Sequence, residues 1–262
     1  MSVAIIFIGT NKYLNFFPKY YETCEELLFP GVKKQYYIFT DGGIVGDDIP
    51  DHITAIKIPH KEWPSITLER FHTILLAEEL IQEHDWLLFL DADMRVDAVV
   101  NSEEVLNDEK DFIAVHHPCH YNTGTGDFER RPESEACITG NPLQYYQGCL
   151  WGGKMEAVIP MMKLLKERVD KDYSNDIIAV WHDESHLNRF FIENQDRVHA
   201  LPPDYAYPEC FPQYPYQRKI VHLAKDNSSY QVRVTLMHGK CQPSIPKRRR
   251  MNFVINSLEL IW

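Results

Sequence analysis

The chain has 262 residues, of which 44% are hydrophobic and 12% are aromatic. This composition supports a large core and argues against intrinsic disorder. The formal net charge of −11 argues against general nucleic-acid binding, because neutralising phosphates requires clustered Lys and Arg side chains.

Predicted strands and helices alternate in the first part of the chain. In order, apolar runs and amphipathic spacing predict a strand over 3–8, a helix over 15–28, strands over 35–40 and 53–58, a helix over 67–83 and a strand over 86–90. The long helix is expected to bury one face formed by Leu68, Phe71, Leu75, Leu76 and Leu80. The alternation predicts an α/β fold with a Rossmann-like, mostly parallel sheet flanked by helices.

The second part of the chain is less regular. A polar, glycine-containing loop or hairpin is predicted over 121–141, helices over 152–170 and 185–193, and proline-rich ordered coil over 202–215. Neither a repeat nor a linker interrupts the sequence. We expect a single domain over 1–262, with a nucleotide-binding half (about 1–95), an acceptor and catalytic half (about 96–235) and a C-terminal extension (about 236–262).

The six cysteines are dispersed and form no C-x-x-C pair, which argues against a zinc ribbon or a redox motif. We expect free thiols and a cytoplasmic protein. The apolar run at 3–8 is too short to cross a membrane, so no transmembrane segment is predicted. Either a solvated tail or a weak contact with an anionic membrane surface explains the basic cluster of Lys247, Arg248, Arg249 and Arg250.

Two carboxylates, Asp91 and Asp93, follow directly after the buried strand at 86–90. Ligands of open α/β sheets bind outside the carboxyl ends of the strands, and two aspartates one residue apart can hold a hard divalent cation together with phosphate oxygens. Turn or capping aspartates are the plain alternative. A phosphatase of the haloacid-dehalogenase type is disfavoured, because Arg95 stands where Thr or Val is usual.

A dense run of aromatic and titratable residues, Trp181-His182-Asp183-Glu184-Ser185-His186, leads into a predicted helix. Helix capping would explain Asp183 and Glu184 structurally, and the run is not the H-E-x-x-H zinc motif. Together with the aspartate pair it suggests a division of labour. The metal would neutralise a leaving diphosphate, while Glu184 would face a sugar carbon at which positive charge develops.

Ordered motifs then resemble a known family. They are the segments 36–41, 91–94, 117–118, 129–132, 145–153 and 179–188, and they resemble glycosyltransferase family 6, which contains the histo-blood-group A and B transferases and the α-1,3-galactosyltransferases. The resemblance covers roughly residues 3–235. It implies a GT-A fold, a UDP-galactose or UDP-GalNAc donor, Mn²⁺ (or Mg²⁺) dependence, and retaining α-1,3 transfer onto a glycan acceptor with a terminal galactose.

The resemblance also implies roles for single residues. Donor contacts fall at Ile8, Gly9, Thr10, Tyr13 and Asp183. Arg70 falls near the diphosphate and donor sugar, and Asp91 and Asp93 are the metal ligands. Glu184 is implied as the nucleophile or as the carboxylate that assists front-side attack, two mechanisms that the sequence does not separate. Acceptor contacts fall at His117, Trp181 and Glu184.

Several positions depart from the family pattern. Many bacterial relatives carry Asn-x-Asn, so the intact aspartate pair favours metal dependence. The donor-sorting positions hold Gln147 and Cys149, and the bulk of Cys149 is expected to crowd an N-acetyl group and favour galactose. Pro208 replaces the expected acidic acceptor contact, which Glu209 could supply. The basic residues that close over the diphosphate are matched loosely by Lys225 and Arg233, with Lys240 or the cluster at 247–250 as alternatives.

Two alternatives stay open at this point. The unusual Gln147 and Cys149 leave room for another donor such as UDP-glucose. A non-catalytic sugar-binding relative would keep the scaffold without turnover. The combined presence of Asp91, Asp93, Arg70 and Glu184 disfavours the second alternative, because sugar binding alone does not need all four.

Overall fold

A computed structural model describes residues 1–42, 50–211 and 213–224. Within them, ten strands are present: β1 (Ser2–Ile8), β2 (Lys33–Thr40), β3 (Ile53–Lys57), β4 (Trp86–Leu90), β5 (Met94–Val96), β6 (Phe112–His116), β7 (Tyr146–Lys154), β8 (Val198–Leu201), β9 (Tyr207–Pro208) and β10 (Ile220–His222).

The described ranges also contain seven α-helices: α1 (Phe17–Leu27), α2 (Ser65–Leu68), α3 (Arg70–Leu75), α4 (Glu78–Ile81), α5 (Ser102–Val105), α6 (Met155–Ser174) and α7 (His182–Glu193). Short 3-10 helices cover Asn11–Phe16, Gln195–Arg197 and Pro203–Tyr205. None of the helices in these ranges combines the length and apolar character that crossing a membrane requires.

Seven strands form one sheet in the order β3-β2-β1-β4-β7-β6-β8. The first four are mutually parallel, β7 runs antiparallel to both of its neighbours, and β6 is parallel to β8. Helices flank this sheet, which confirms the predicted mixed, mostly parallel α/β architecture. Because β7 lies beside β4, the early and late parts of the chain share one continuous sheet.

Alternation along β1 distributes its side chains between two cores. Val3, Ile5 and Phe7 belong to the apolar cluster that includes α1, whereas Ala4 and Ile6 belong to the cluster that includes α3 and α6. All five residues are fully buried. This two-sided burial explains why the strand appears in the sequence as a continuous apolar run.

The prediction of one long helix over 67–83 is wrong, since three short helices, α2, α3 and α4, occupy this region. The chain leaves helical geometry at Glu69 and Ala77. Leu76 and Leu80, which were expected to be buried, are 69% and 47% exposed. Short helices in succession preserve much of a helical apolar period, so the pattern alone did not reveal the breaks.

The predicted helix at 152–170 begins later, because residues 152–154 complete β7 and the helix starts at Met155. A Cβ atom at Gly152 would lie 2.1 Å from the carbonyl oxygen of Leu87 on β4. Glycine is therefore needed for the close approach of the two strands rather than for a helix start.

A small second sheet in the order β5-β10-β9 lies just beyond the end of β4. In it His222 of β10 is paired with Met94 of β5, and the main-chain N–H of Leu223 donates to the carbonyl of Asp93 at 2.9 Å. Residues that are distant in sequence are thereby fixed next to the aspartate pair.

Cys24, Cys137, Cys149 and Cys210 are free thiols, as expected. Cys119 is disulfide-bonded, so the expectation of free thiols is wrong there, because spacing along the chain does not reveal which distant cysteines meet in the fold. Several predicted residues lie outside the described ranges, namely Lys225, Arg233, Lys240 and the basic cluster at 247–250.

Candidate active site

The carboxyl ends of β1 and β4 open into a narrow cleft. It is lined by Ile8, Thr10, Tyr13, Ile66, Thr67, Arg70, Phe89, Asp91, Ala92 and Asp93. Gly9 passes beside them, and a Cβ atom there would lie 2.4 Å from the Phe7 ring. The Thr10 hydroxyl is 2.8 Å from Nδ1 of His60. The cleft thus brings together the residues predicted for nucleotide and metal binding.

Asp91 and Asp93 lie at the floor of this cleft, in the turn between β4 and β5. Asp91 donates its main-chain N–H to the Cys149 carbonyl at 2.9 Å, and Asp93 is only 1% exposed. One ligand atom from each of Asp91, Asp93 and His222 lies within 4.8 Å of the other two. Two carboxylates and an imidazole in one cluster suit a divalent metal ion.

Arg70 connects the metal-binding side of the site with the start of α7. Its Nη1 atom lies 3.3 Å from Oδ1 of Asp91 and donates to the Gly148 carbonyl at 3.0 Å. Its Nε atom donates to the carbonyl of Thr67 and lies 3.0 Å from Oδ2 of Asp183. That oxygen accepts no hydrogen bond of ordinary geometry from a described residue, so the Arg70–Asp183 contact is an ion pair.

Glu184 is held at the beginning of α7 by two hydrogen bonds. Its Oε1 atom accepts from the Tyr145 hydroxyl at 2.7 Å, and Oε2 accepts from the Gly148 main-chain N–H at 2.8 Å. Asn188 on the next turn donates to the Glu184 carbonyl and also bonds the backbone of Tyr146. The carboxylate is therefore fixed against β7 rather than free to rotate.

The protonation of Asp183 and Glu184 is shifted toward the neutral form. Burial, together with a smaller contribution from the neighbouring Asp91 carboxylate, raises the pKa of each carboxyl to about 7. Arg70 opposes this effect at both residues. Such shifts are common where carboxyl groups act chemically, and they indicate a site that favours an additional positive charge.

A second cavity of about 180 Å³ continues from the aspartate pair toward α7. It is lined by Trp63, Thr67, Arg70, Asp91, His117, Asp127, Tyr145, Gln147, Gly148, Cys149, Trp181, His182, Asp183, Glu184 and His222. Burial lowers the pKa of His117 to about 3, so its imidazole is neutral. Two predicted acceptor residues and both donor-sorting residues thus surround Glu184.

Glu209 lies at the small second sheet and not at this cavity. Its carboxylate is 3.3 Å from Nη2 of Arg95 and accepts the main-chain N–H of Ala224 at 3.0 Å. It is not among the residues that line the cavity. These contacts tie Glu209 to the small sheet and do not support its predicted role as an acceptor contact.

A larger and more open groove, of about 710 Å³, adjoins the cavity at His182. Its charged side chains are already engaged: Arg130 donates to the carbonyls of Ile138 and Gly140, and Arg131 pairs with Glu129. The groove therefore lacks the converging titratable groups that mark the smaller cavity.

The sequence profile of glycosyltransferase family 6 matches residues 1–234. The chain belongs to this family. The match spans both the cleft at β1 and β4 and the segment that begins α7, and it supports a hexosyltransferase.

Named relatives agree with this membership in glycosyltransferase family 6. Globoside alpha-1,3-N-acetylgalactosaminyltransferase 1 of Homo sapiens is 30% identical, over 82% of this chain and 63% of that protein. O-antigen biosynthesis glycosyltransferase WbnI of Escherichia coli is 30% identical, over 88% and 97%. Histo-blood group ABO system transferase 2 of Rattus norvegicus is 26% identical, over 88% and 71%. The chain thus spans less than two thirds of the human relative but nearly all of the bacterial one.

Sequence reasoning missed several residues of this family 6 site. Tyr145 was noted only as part of a motif, Gly148 was overlooked, and Asp127 was assigned to a polar loop. His222 is a single histidine after a proline-rich segment, and no spacing signal marks it. The contact of Gly148 with Glu184 and those of His222 with Gln147 and Asp93 join segments 36 to 129 residues apart, which no local pattern encodes.

The motif at 129–132 stabilises the segment of chain that leads into α7. The buried Glu129 carboxylate accepts the main-chain N–H groups of Arg130, Arg131 and Val180, each at 2.9 Å. Burial raises the pKa of Glu129, but the Arg131 side chain and the main-chain N–H groups of Arg131 and Val180 outweigh burial and lower the pKa to about 2. Glu129 therefore fixes the chain that enters Trp181 without touching the cavity.

Proposed function

We propose that this protein is a retaining glycosyltransferase that moves galactose, or N-acetylgalactosamine, from its UDP donor to a galactoside in α-1,3 linkage. One observation carries the proposal. Arg70 contacts Asp91 and Asp183 at once, immediately beside Glu184. A metal-binding carboxylate, a cation and a candidate catalytic carboxylate are thereby grouped around one cavity.

The donor nucleotide would occupy the cleft at the end of β1. Ile8, Thr10 and Tyr13 line it and would contact uracil and ribose, with Gly9 keeping the backbone close. Asp91 and Asp93 would hold Mn²⁺ or Mg²⁺, and this ion would neutralise charge on the departing diphosphate. Arg70 would contact the diphosphate or the donor sugar, where its fixed guanidinium can stabilise developing negative charge.

Glu184 is the candidate catalytic carboxylate. Departure of UDP leaves an oxocarbenium-like carbon, which a nearby carboxylate can stabilise or attack. Tyr145 and Gly148 orient both Glu184 oxygens, which favours a fixed geometry over a mobile base. Both double displacement and front-side attack retain the configuration and use one such carboxylate.

The acceptor would enter from the side of His117 and Trp181, which line the same cavity. The indole can offer an apolar face to a sugar ring, and the neutral His117 imidazole can accept or donate a hydrogen bond to a hydroxyl. Asp127 lines this side as well and is a better-placed carboxylate than Glu209.

Cys149 and Gln147 would select the donor sugar. Cys149 is 2% exposed and lines the cavity near Glu184. Its bulk favours galactose over GalNAc by about 1–3 kcal/mol at most, the usual value of excluding one small group. The relatives include an N-acetylgalactosaminyltransferase and, at 23% identity, alpha-1,3-galactosyltransferase 2 of Homo sapiens, so the proposed choice of donor rests on Cys149.

We also propose that the protein acts in the cytoplasm. Four of its cysteines are free thiols, which fits a reducing compartment, whereas the disulfide at Cys119 is a bond that such a compartment disfavours. Cell fractionation with a marker for each compartment tests this directly, and recovery with a membrane or secreted fraction would contradict it.

The first experiment is UDP release from a panel of UDP-sugars, with Mn²⁺ or with EDTA and without acceptor. Metal-dependent hydrolysis of UDP-galactose or UDP-GalNAc is expected. Faster release from UDP-glucose would establish that donor instead. No release from any donor, with or without galactoside acceptors, together with sugar binding in calorimetry, would establish a non-catalytic binder.

A further inference from the structure

The acidic pair at the end of β4 is accompanied by a histidine from the small second sheet. One ligand atom from each of Asp91, Asp93 and His222 lies within 4.8 Å of the others. Metal–ligand bonds of about 2.0–2.2 Å allow ligand atoms around one ion to lie up to about 4.4 Å apart. Small side-chain adjustments would therefore bring all three atoms onto one ion.

Main-chain bonds hold His222 in this position. It is paired with Met94 between the antiparallel strands β10 and β5, and Leu223 donates to the Asp93 carbonyl at 2.9 Å. The imidazole is thus attached to a strand that is bonded to the aspartate turn itself. Ligands on rigid strands suit metal binding, because their geometry is set before the ion arrives.

The negative charge of the buried carboxylates around the cluster also favours a bound cation. Asp93 is 1% exposed, and Asp91, Asp183 and Glu184 lie at the same cavity. Arg70 contacts Asp91 and Asp183. Buried carboxylates that lie close together are stabilised by positive charge, which a divalent ion would add.

We propose that His222 is a third protein ligand of the divalent metal, bound through Nε2, and that Gln147 orients the imidazole through Nδ1. The inference deepens the proposed metal-dependent transfer and rests on it only for the presence of a metal. It gives Gln147 a task at the metal in addition to any contact with the donor sugar.

The hydrogen bonds around His222 show how the ring would be prepared. In the structure Nε2 is 3.1 Å from Oδ2 of Asp93, and Nδ1 is 3.3 Å from Nε2 of Gln147. Oε1 of Gln147 is buried and has no hydrogen-bond partner among the described residues. That unused acceptor lies on the amide that already contacts the ring.

Rotation of the Gln147 amide by half a turn exchanges its nitrogen and oxygen. Oε1 then accepts a proton-bearing Nδ1, and the lone pair of Nε2 is left for the metal. One proton leaves Nε2 for water and one is taken up at Nδ1, so the ring stays neutral. Metal-binding histidines commonly have the second ring nitrogen fixed in this way.

An imidazole ligand has a consequence for metal choice. Mg²⁺ strongly prefers oxygen ligands, whereas nitrogen ligands favour first-row transition ions. The His222 ligand should therefore raise the affinity for Mn²⁺ and Co²⁺ relative to Mg²⁺.

The direct test is pulsed electron paramagnetic resonance of the full chain with Mn²⁺ and UDP. Modulation from a directly bound ¹⁴N nucleus is expected, and it should convert to the ¹⁵N pattern when histidine is supplied as ¹⁵N-histidine. Because this experiment uses the unaltered protein, misfolding cannot explain a negative result. Absence of histidine coupling to bound Mn²⁺ would overturn the proposal.

Variants provide a second measurement. In calorimetry with UDP, His222→Ala should weaken Mn²⁺ binding about 10- to 100-fold and Mg²⁺ binding less, and Gln147→Leu should weaken Mn²⁺ binding about 10-fold. His199→Ala, which removes a histidine bonded to the Glu104 carbonyl, is the matched control and should leave binding unchanged. Equal loss of Mn²⁺ and Mg²⁺ affinity in His222→Ala would contradict the proposed selectivity.

Neither measurement requires sugar transfer. Histidine coupling without turnover on any donor would leave the metal ligand in place and overturn the proposed transferase activity. Metal-dependent turnover without histidine coupling would overturn His222 as a metal ligand and leave the proposed transferase activity in place.

Discussion

The Gly148 main-chain N–H donates to Oε2 of Glu184 at 2.8 Å, and nothing larger than glycine fits this contact comfortably. A Cβ atom at Gly148 would lie 3.3 Å from both Cβ of Glu184 and Oδ2 of Asp183. The same residue offers its carbonyl to Arg70. One glycine of β7 therefore holds two charged side chains, Glu184 and Arg70, and leaves space for a third, Asp183.

Gly148→Ala should displace the Glu184 carboxylate by a few tenths of an ångström. We expect kcat to fall about 10- to 100-fold, since small misplacements of a catalytic group are costly. Metal-dependent UDP binding should change little, because Asp91 and Asp93 are not in that contact. Steady-state kinetics beside UDP titration checks this, and unchanged kcat would show that Glu184 tolerates the shift.

Tyr145→Phe should shift the pH dependence of the reaction. Burial raises the pKa of Glu184 and the Tyr145 hydroxyl lowers it, and the resulting value is about 7. Without this bond the pKa should rise by about 1–2 units, the value of one hydrogen bond to a charged group. Because the carboxylate is the active form, the acid limb of kcat/KM should move to higher pH.

The matched control for that experiment is Tyr146→Phe, whose lost hydroxyl contacts Gln144 and not Glu184. Its acid limb should coincide with that of the unaltered protein. An identical shift in both variants, or none in Tyr145→Phe, would remove Glu184 as the origin of the limb.

Replacing both Asp91 and Asp93 by Asn should abolish metal-dependent turnover, with a loss of at least about 100-fold, because the metal is expected to stabilise the transition state by several kcal/mol. UDP release at several Mn²⁺ concentrations measures the effect. Asp108→Asn with Glu109→Gln removes the same formal charge at exposed positions and should behave normally. An intact Mn²⁺ response in the first variant would refute the metal assignment.

Glu129 should contribute to stability in a pH-dependent manner. Its pKa is lowered from 4.5 to about 2 in the folded protein, so its contribution is complete above the unfolded pKa and is lost as pH falls through 4.5 toward 2. The shift corresponds to roughly 3 kcal/mol. Denaturant unfolding between pH 7 and pH 2 should show this decline.

Glu129→Gln should be less stable at pH 7 by a similar amount and should lack that part of the acid dependence. Glu135→Gln is the control, because Glu135 pairs with the exposed Lys171 and surface pairs contribute little. Equal effects of the two substitutions would show that the loop around Glu129 does not depend on its buried carboxylate.

Local patterns predicted much of this molecule. Buried strands such as β1 and β4 appear as continuous apolar runs, and Asp91 and Asp93 follow β4 directly. The start of α7 was marked by its unusual density of titratable residues. In each case the information lies within about ten consecutive residues, where periodicity and capping are visible.

Other features depend on contacts that no local pattern contains. Tyr145 reaches Glu184 across 39 residues, and His222 reaches Asp93 across 129 residues. The breaks between α2, α3 and α4 also went undetected, because three short helices in succession keep much of the apolar spacing of one long helix. Gly152 was interpreted as a helix start, although close packing against Leu87 of β4 explains it.

The placement of β7 beside β4 has a consequence for engineering. The strand that leads to the proposed nucleotide cleft, β4, is hydrogen-bonded to β7, which holds Glu184 through Gly148. At Gly152 this contact between β4 and β7 leaves no space for a side chain. Chimaeras that join the first 95 residues of one family 6 enzyme to the remainder of another must therefore keep residues that pack together where β4 contacts β7. New specificities are better sought by exchanging single cavity-lining side chains than by recombining whole segments.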